Sequence, residues 1–150
     1  MQRRTLLQAI LISALASPVL AGAAAAPLVT VYKSEGCGCC EAWIDHLKAN
    51  GFAVKAHNVD DTSSYRKKFG IPTALGSCHT GIVDGYAIEG HVPAADIKRL
   101  LAERPGAKGL AVPSMPLGSP GMEGPRKDPY DVLLVKADGS YSIYKHYSGK

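Results

Sequence analysis

The sequence lacks a cluster of lysines and arginines and any basic stripe interleaved with aromatics, which excludes an ordinary nucleic-acid footprint. Setting Arg3 and Arg4 aside, 15 of the 17 basic residues face 13 acidic ones, a nearly balanced charge. No second long apolar run follows Leu20, so no stable membrane insertion is expected once the N-terminal segment is removed. Internal repeats are absent. Also missing is the layout of a four-cysteine structural zinc site, two separated C-x-x-C knuckles. The four cysteines fall instead as three plus one: Cys37, Cys39 and Cys40 in "SEGCGCCEAW", and Cys78 in "SCHTG".

The N-terminal residues have the order of an export signal. Arg3 and Arg4 precede Leu6-Leu7, an apolar run from Ala9 to Leu20, and the alanine-rich stretch Ala21 to Ala26,. Residues 1–26 are therefore expected to be removed, with cleavage between Ala23 and Ala26. Export would use the general or the twin-arginine route, and the paired arginines before "TLL" suggest the second. Residues 27–150 suffice for one domain with a single core. An exported bacterial-type protein meets an oxidising compartment in which cysteines tend to pair, so two disulfides are the plainest expectation for four cysteines.

The mature segment reads as α/β. "LVTVYK", Leu28 to Lys33, is a strand ending in a Ser-Glu-Gly-Cys-Gly turn. Cys40, Trp43, Ile44 and Leu47 then recur at helical spacing until Asn50-Gly51. "FAVKAHNV" alternates as a second strand, and Thr62 is expected to cap the short helix "TSSYRKKFG". Strands at Cys78–Val83 and Tyr86–His91 flank Asp84-Gly85, a hairpin signal. Pro93 opens a helix with Ile97, Leu100 and Leu101 on one face. This order, β-α-β-α-β-β-α, is that of the thioredoxin-like fold, with the cysteines at the first strand-to-helix turn. "GIPT", Gly70 to Thr73, has the look of that fold's cis-proline segment, although the next strand begins only near Cys78. A long Pro/Gly/Met loop is expected from Arg104 to about Pro129, followed by a C-terminal β-hairpin of "DVLLVK" and "YSIYKHY".

Two chemistries compete for the cysteines. As a redox dithiol, Cys37 at a helix N-terminus would be the activated thiolate and Cys40 its resolving partner. Cys39 then has no role and invites scrambling. As a metal site, the same helix dipole stabilises thiolate ligands, and three sulfurs on a tight turn can share ions. Thiolate and thioether donors suit Cu(I) best, with zinc or an iron–sulfur cluster as other candidates. Cys78 is either a buried core or disulfide cysteine or a fourth ligand, since its strand begins opposite the first turn. His79 and His91 are candidate ligands or ordinary polar residues. Met115 and Met122, in "VPSMPLGSPGME", lie in a loop with no regular apolar period, where a thioether lid over copper makes chemical sense. His46, His57 and His146 read as surface residues, and Trp43 as packing.

Together "GCGCCEAW", "SCHTG", "IEGHVPA", "GLAVPSMPLGSPGME" and "YDVLLV" resemble a family of exported bacterial proteins once known only as a domain of unknown function. That family includes the copper-resistance proteins called CopG. The resemblance covers nearly the whole mature chain. It implies a thioredoxin-like periplasmic protein that binds several copper ions through Cys37, Cys39, Cys40 and Cys78, assisted by His79, His91, Met115 and Met122. It also implies a role in copper resistance that extends to interconverting Cu(I) and Cu(II), with other periplasmic copper-handling proteins as partners. A thiol–disulfide oxidoreductase using Cys37 and Cys40, and a passive copper storage or delivery protein, are the competing classes.

Overall fold

In the computed structural model, which describes residues 25–150, the β-rich run Leu28–Lys33 forms strand β1 and buries Val29, Val31 and Lys33. The expected export segment falls almost wholly outside the described residues. A turn with Gly36 at φ +72° leads into helix α1, Gly38–Ala49. Its buried residues are Cys40, Trp43, Ile44 and Leu47, the stripe that a 3.6-residue period predicts,. Strand β2, Ala53–Asn58, runs parallel to β1.

Helix α2, Thr62–Lys68, is capped by Asp61 rather than by Thr62: the Asp61 carboxylate accepts from the Ser63 N–H at 2.9 Å. A carboxylate one residue upstream satisfies the free N–H groups of the first turn better than a hydroxyl inside it. The chain then reaches Pro72, which precedes a single 3-10 turn, Thr73–Leu75. No cis peptide occurs among the described residues, so Pro72 is not the cis-proline its setting suggested. Strands β3, His79–Val83, and β4, Tyr86–Glu89, are joined by Asp84 and Gly85, both at positive φ as the two-residue hairpin requires,. Helix α3, Ala94–Glu103, follows Pro93 and buries Ala94, Ile97 and Leu100.

The segment after Arg104 is not all loop. Ala107–Ala111 forms strand β5, parallel to β4 and buried at its centre. Its Gly109 passes so close to β4 that an added Cβ would lie 1.8 Å from the Ala87 carbonyl oxygen. The hairpin of β6, Tyr130–Lys136, and β7, Tyr141–Tyr147, is not an appendage either, because β6 pairs with β5. Among the described residues the result is one seven-stranded sheet in the order β2-β1-β3-β4-β5-β6-β7, with three α-helices.

Alternate residues of the sheet feed opposite layers. Ile88, Leu110 and Val132 join Trp43, Leu47, Ile97 and Leu100 of α1 and α3 in the larger core. Their neighbours Ala87, Ala111 and Leu133 join Ile71 and Leu75 on the other side. The β1–β3 register sets Lys33 opposite His79. Cys78 is therefore delivered to the turn where β1 enters α1.

Candidate metal centre

Four chain segments meet at that turn. Cys37 is the residue before α1, and its side chain makes no capping hydrogen bond, so the helix N-terminus faces the sulfurs directly. Lys33, buried at the end of β1, ties the turn down through Glu41 at 2.7 Å and Asn58 at 2.9 Å. Cys37 and Cys40 are joined as a disulfide with Cα atoms 5.3 Å apart. Cys39 and Cys78 are free. The Cys39 sulfur lies 3.6 Å from that of Cys37 and 3.9 Å from that of Cys78.

Cys78 also belongs to a second group. Its sulfur is 3.1 Å from His91 Nε2 and 3.4 Å from His79 Nδ1. One set of converging donor atoms is thus Cys37, Cys39, Cys40 and Cys78, and the other is Cys78, His79 and His91. All the cysteine and histidine candidates come together, and Cys78 links them.

The imidazoles are held in the neutral form that metal ligation needs, whereas the Cys78 thiol is not held as the thiolate,. Burial, aided by the neighbouring Cys39, pushes the Cys78 thiol up to about 12, so without a cation it stays protonated; a bound soft cation supplies the charge that reverses this. Burial lowers His91, against the opposing effect of the Pro120 carbonyl. That carbonyl is 2.7 Å from His91 Nδ1 and accepts its proton. The arrangement leaves the Nε2 lone pair facing Cys78, as the outer partner of a ligating histidine does. His79 is fully buried, with its pKa lowered to about 3 by burial and then by His91. Its Nε2 is the one buried side-chain nitrogen or oxygen without a hydrogen-bond partner among the described residues.

A pH dependence follows from His79. Its pKa is about 3 in the fold, against 6.5 when unconstrained. Below pH 6.5 the unfolded chain takes up a proton that the folded chain refuses. The stability contributed by neutral His79 is therefore whole above pH 6.5 and is lost as the pH falls towards 3. The metal-free protein is expected to lose about 2 kcal/mol from this residue between pH 7 and pH 5. Urea midpoints at the two pH values measure it, and His79→Leu should flatten the dependence. Equal midpoints in the unsubstituted protein would contradict the assignment.

The methionine loop is brought to the site by its backbone. The Ser77 hydroxyl donates to the Ser114 carbonyl, and Ser114 N–H donates to Gly76. Gly121, at φ +88°, packs so closely that a Cβ would lie 2.6 Å from the Cys39 carbonyl and 3.2 Å from His91 Nδ1. Met115, next to Ser114, is 47% exposed, and Met122, next to Gly121, is half-buried. It is their neighbours, Ser114 and Gly121, that abut the residues of the centre. A cavity of about 400 Å³ that Pro120 helps to line contains no cysteine or histidine in its wall.

Of the residues read as surface histidines, His146 is exposed and paired with Asp131, and His57 stacks on Tyr32. His46 departs from that reading: it is half-buried, and its Nε2 accepts from the Ala94 N–H at 3.1 Å. Trp43 is fully buried, donates to the Val92 carbonyl at 2.8 Å, and packs against His79 with ring centroids 4.3 Å apart. A buried ion pair that the sequence did not advertise stands behind Cys78. Glu89 accepts from Arg66 at 2.7 Å, from the Ser77 N–H at 2.7 Å and from Thr80 at 2.6 Å. A charged residue, Glu89, directly after the apolar run Tyr86–Ile88 and inside the expected strand was the available signal,.

A convergence of four cysteine sulfurs and two neutral imidazoles defines a soft-metal or redox thiol centre. Comparison with known proteins places it more closely. The family described as "Protein of unknown function, DUF411" matches residues 75–122, which include Cys78, both candidate histidines and the methionine loop. No curated protein sequence matches the chain. Two solved structures do, "Copper resistance protein copG- Form 2" and "Copper resistance protein copG- Form 1". The first is 48% identical with a TM-score of 0.78, and the second is 49% identical with a TM-score of 0.77. Each alignment covers 81% of this chain and 98% of the other. The chain belongs to the CopG family.

Proposed function

We propose that the protein binds copper, more than one ion per chain, on Cys37, Cys39, Cys40 and Cys78, and acts in copper resistance. The observation that carries this reading is the shared position of Cys78, which joins a four-sulfur group to a two-imidazole group. Sulfur donors favour Cu(I), and imidazoles at the same sulfur suit Cu(II), which supports passage between the two oxidation states. Met115 and Met122 would add thioether donors. The copper-resistance names of the two similar structures point the same way.

The element order through α3 and the sheet order β2-β1-β3-β4 support a thioredoxin-like assignment for the first part of the chain. The remaining strands extend that sheet. Residues 27–150 would form the single mature domain and residues 1–26 an export signal, and the protein would then act in the periplasm beside other copper-handling proteins. No helix among the described residues is long and apolar enough to cross a membrane.

The Cys37–Cys40 disulfide favours a second reading, a thiol–disulfide oxidoreductase. For the copper reading, two electrons must first open that bond, because disulfide sulfurs are not thiolate ligands. Metal content and copper oxidation state, measured on reduced protein handled without oxygen, separate the two. More than one Cu(I) per chain is expected. Protein that takes up no copper but exchanges disulfides would establish the alternative, and Cu(I) held without any change of oxidation state would mean storage or delivery.

A further inference from the structure

Besides the contacts of its own sulfur, Cys78 is held through the backbone of its neighbour Ser77, and that hold traces to one buried ion pair. Ser77 is gripped on four sides. Its N–H donates to Glu89 Oε1 at 2.7 Å, and its carbonyl accepts from Arg66 at 2.6 Å. Its hydroxyl donates to the Ser114 carbonyl, beside Met115. Its Cβ lies against Gly90, where any added Cβ would come within 2.6 Å of it. Glu89 is fully buried and Arg66 nearly so. Glu89 Oε1 takes both Arg66 and Ser77, while Oε2 takes Thr80.

Such a pair is an expensive way to stabilise a fold, because both charges are taken out of water and apolar residues of similar volume usually serve as well. What it supplies is direction. A carboxylate and a guanidinium, locked to each other, bind the N–H and the C=O of one residue at once. The backbone entering Cys78 then has one orientation. Gly90 and Ser77 are the residues just before His91 and Cys78, so this contact also fixes the spacing of the thiol and the imidazole.

The geometry points to Arg66 and Glu89 as positioning residues that set the Cys78 thiol against Cys39 and His91. The inference rests on the thiolate-ligand reading of the site and adds to it the residues that make the fourth sulfur available. Neither residue touches a cysteine sulfur. Their effect passes through Ser77.

The test compares Glu89→Gln and Arg66→Lys with Thr80→Val. The first loses the charge on the acceptor of the Ser77 N–H. The second keeps the cation but gives up the nitrogen that reaches the Ser77 carbonyl, and it answers the question if Glu89→Gln fails to fold. Thr80→Val weakens the same buried network without touching Ser77. The readout, on the full chain without metal, is the rate of iodoacetamide alkylation at Cys78 relative to Cys39. A merely structural role would not move this ratio well below the unfolding temperature. A rise on the order of tenfold is expected in the first two variants, the scale of one lost charge-assisted hydrogen bond, and no rise in Thr80→Val. An unchanged ratio, or an equal rise in Thr80→Val, overturns the inference. Cu(I) affinity, measured by competition with bicinchoninate, should fall about 10- to 100-fold in the same two variants. If the alkylation ratio moves while Cu(I) affinity stays, the positioning role stands and the assignment of Cys78 as a copper ligand fails.

Discussion

Replacing Cys39 with serine is expected to remove at least about half of the copper bound per chain, because a hydroxyl is a poor donor to Cu(I) where a thiolate is a strong one. The size of the effect comes from position. Cys39 stands between Cys37 at 3.6 Å and Cys78 at 3.9 Å, so it is the sulfur through which the α1 turn and the β3 corner can share ions. Its loss divides the site. Cys37 and Cys40 remain able to form their disulfide, and any dithiol exchange should survive. Copper per chain and insulin reduction, measured on the same Cys39→Ser preparation, therefore diverge if the cluster reading is right. Unchanged copper content would sink it. Retained copper with lost exchange activity would make Cys39 part of the redox machinery instead.

Trp43→Ala should cost about 3–5 kcal/mol of stability, read from urea unfolding of the metal-free protein. The indole is completely buried in the larger core and is among the largest buried side chains. It does more than fill space. Its N–H satisfies the Val92 carbonyl at 2.8 Å, and its ring backs the His79 imidazole. Truncation leaves a cavity beneath one candidate ligand and an unpaired carbonyl beside another, His91. Trp43→Phe keeps most of the apolar contact and should cost only about 1–3 kcal/mol, chiefly from the abandoned carbonyl. A loss below about 1 kcal/mol in the alanine variant would mean that α1 is not anchored to the sheet through this residue.

The parts of the fold legible in the sequence were those whose signals are local. Val29 and Val31, the Cys40-Trp43-Ile44-Leu47 stripe, Asp84-Gly85, and Pro93 before Ile97 and Leu100 each encode their element within a few residues. Strand β5 carried no such signal. "AKGLA" is short and contains a glycine, and that glycine is there for a long-range reason, the approach of its backbone to Ala87 on β4. Reading it as loop also detached the final hairpin from a sheet it in fact continues. The α2 cap was misread by one residue because Asp61 and Thr62 are both capping types, and only geometry separates them.

At the site, the cysteines and histidines could be nominated from residue type and spacing, because soft donors clustered at a helix start are rare without a chemical reason. Arg66 could not. It sits in the short helix "TSSYRKK" beside two exposed lysines, and its partner Glu89 lies 23 residues away. His46 was likewise read as solvent-facing, since its role depends on where the start of α3 lands. Pairings that exist only after the sheet has formed leave no mark on local sequence.

The β1–β3 pairing has a consequence for the order in which the sulfurs become usable. Cys37, Cys39 and Cys40 are neighbours from the moment they are joined, and Cys37 and Cys40 can meet in a single helical turn. Cys78 arrives only when Lys33 has come to lie opposite His79, and His91 follows it through the β3–β4 hairpin. An incompletely folded chain can therefore offer a local dithiol but not the full ligand set. On the proposed copper reading, the tightest binding would then be open only to molecules whose sheet has already assembled, so that loading with metal would report on folding.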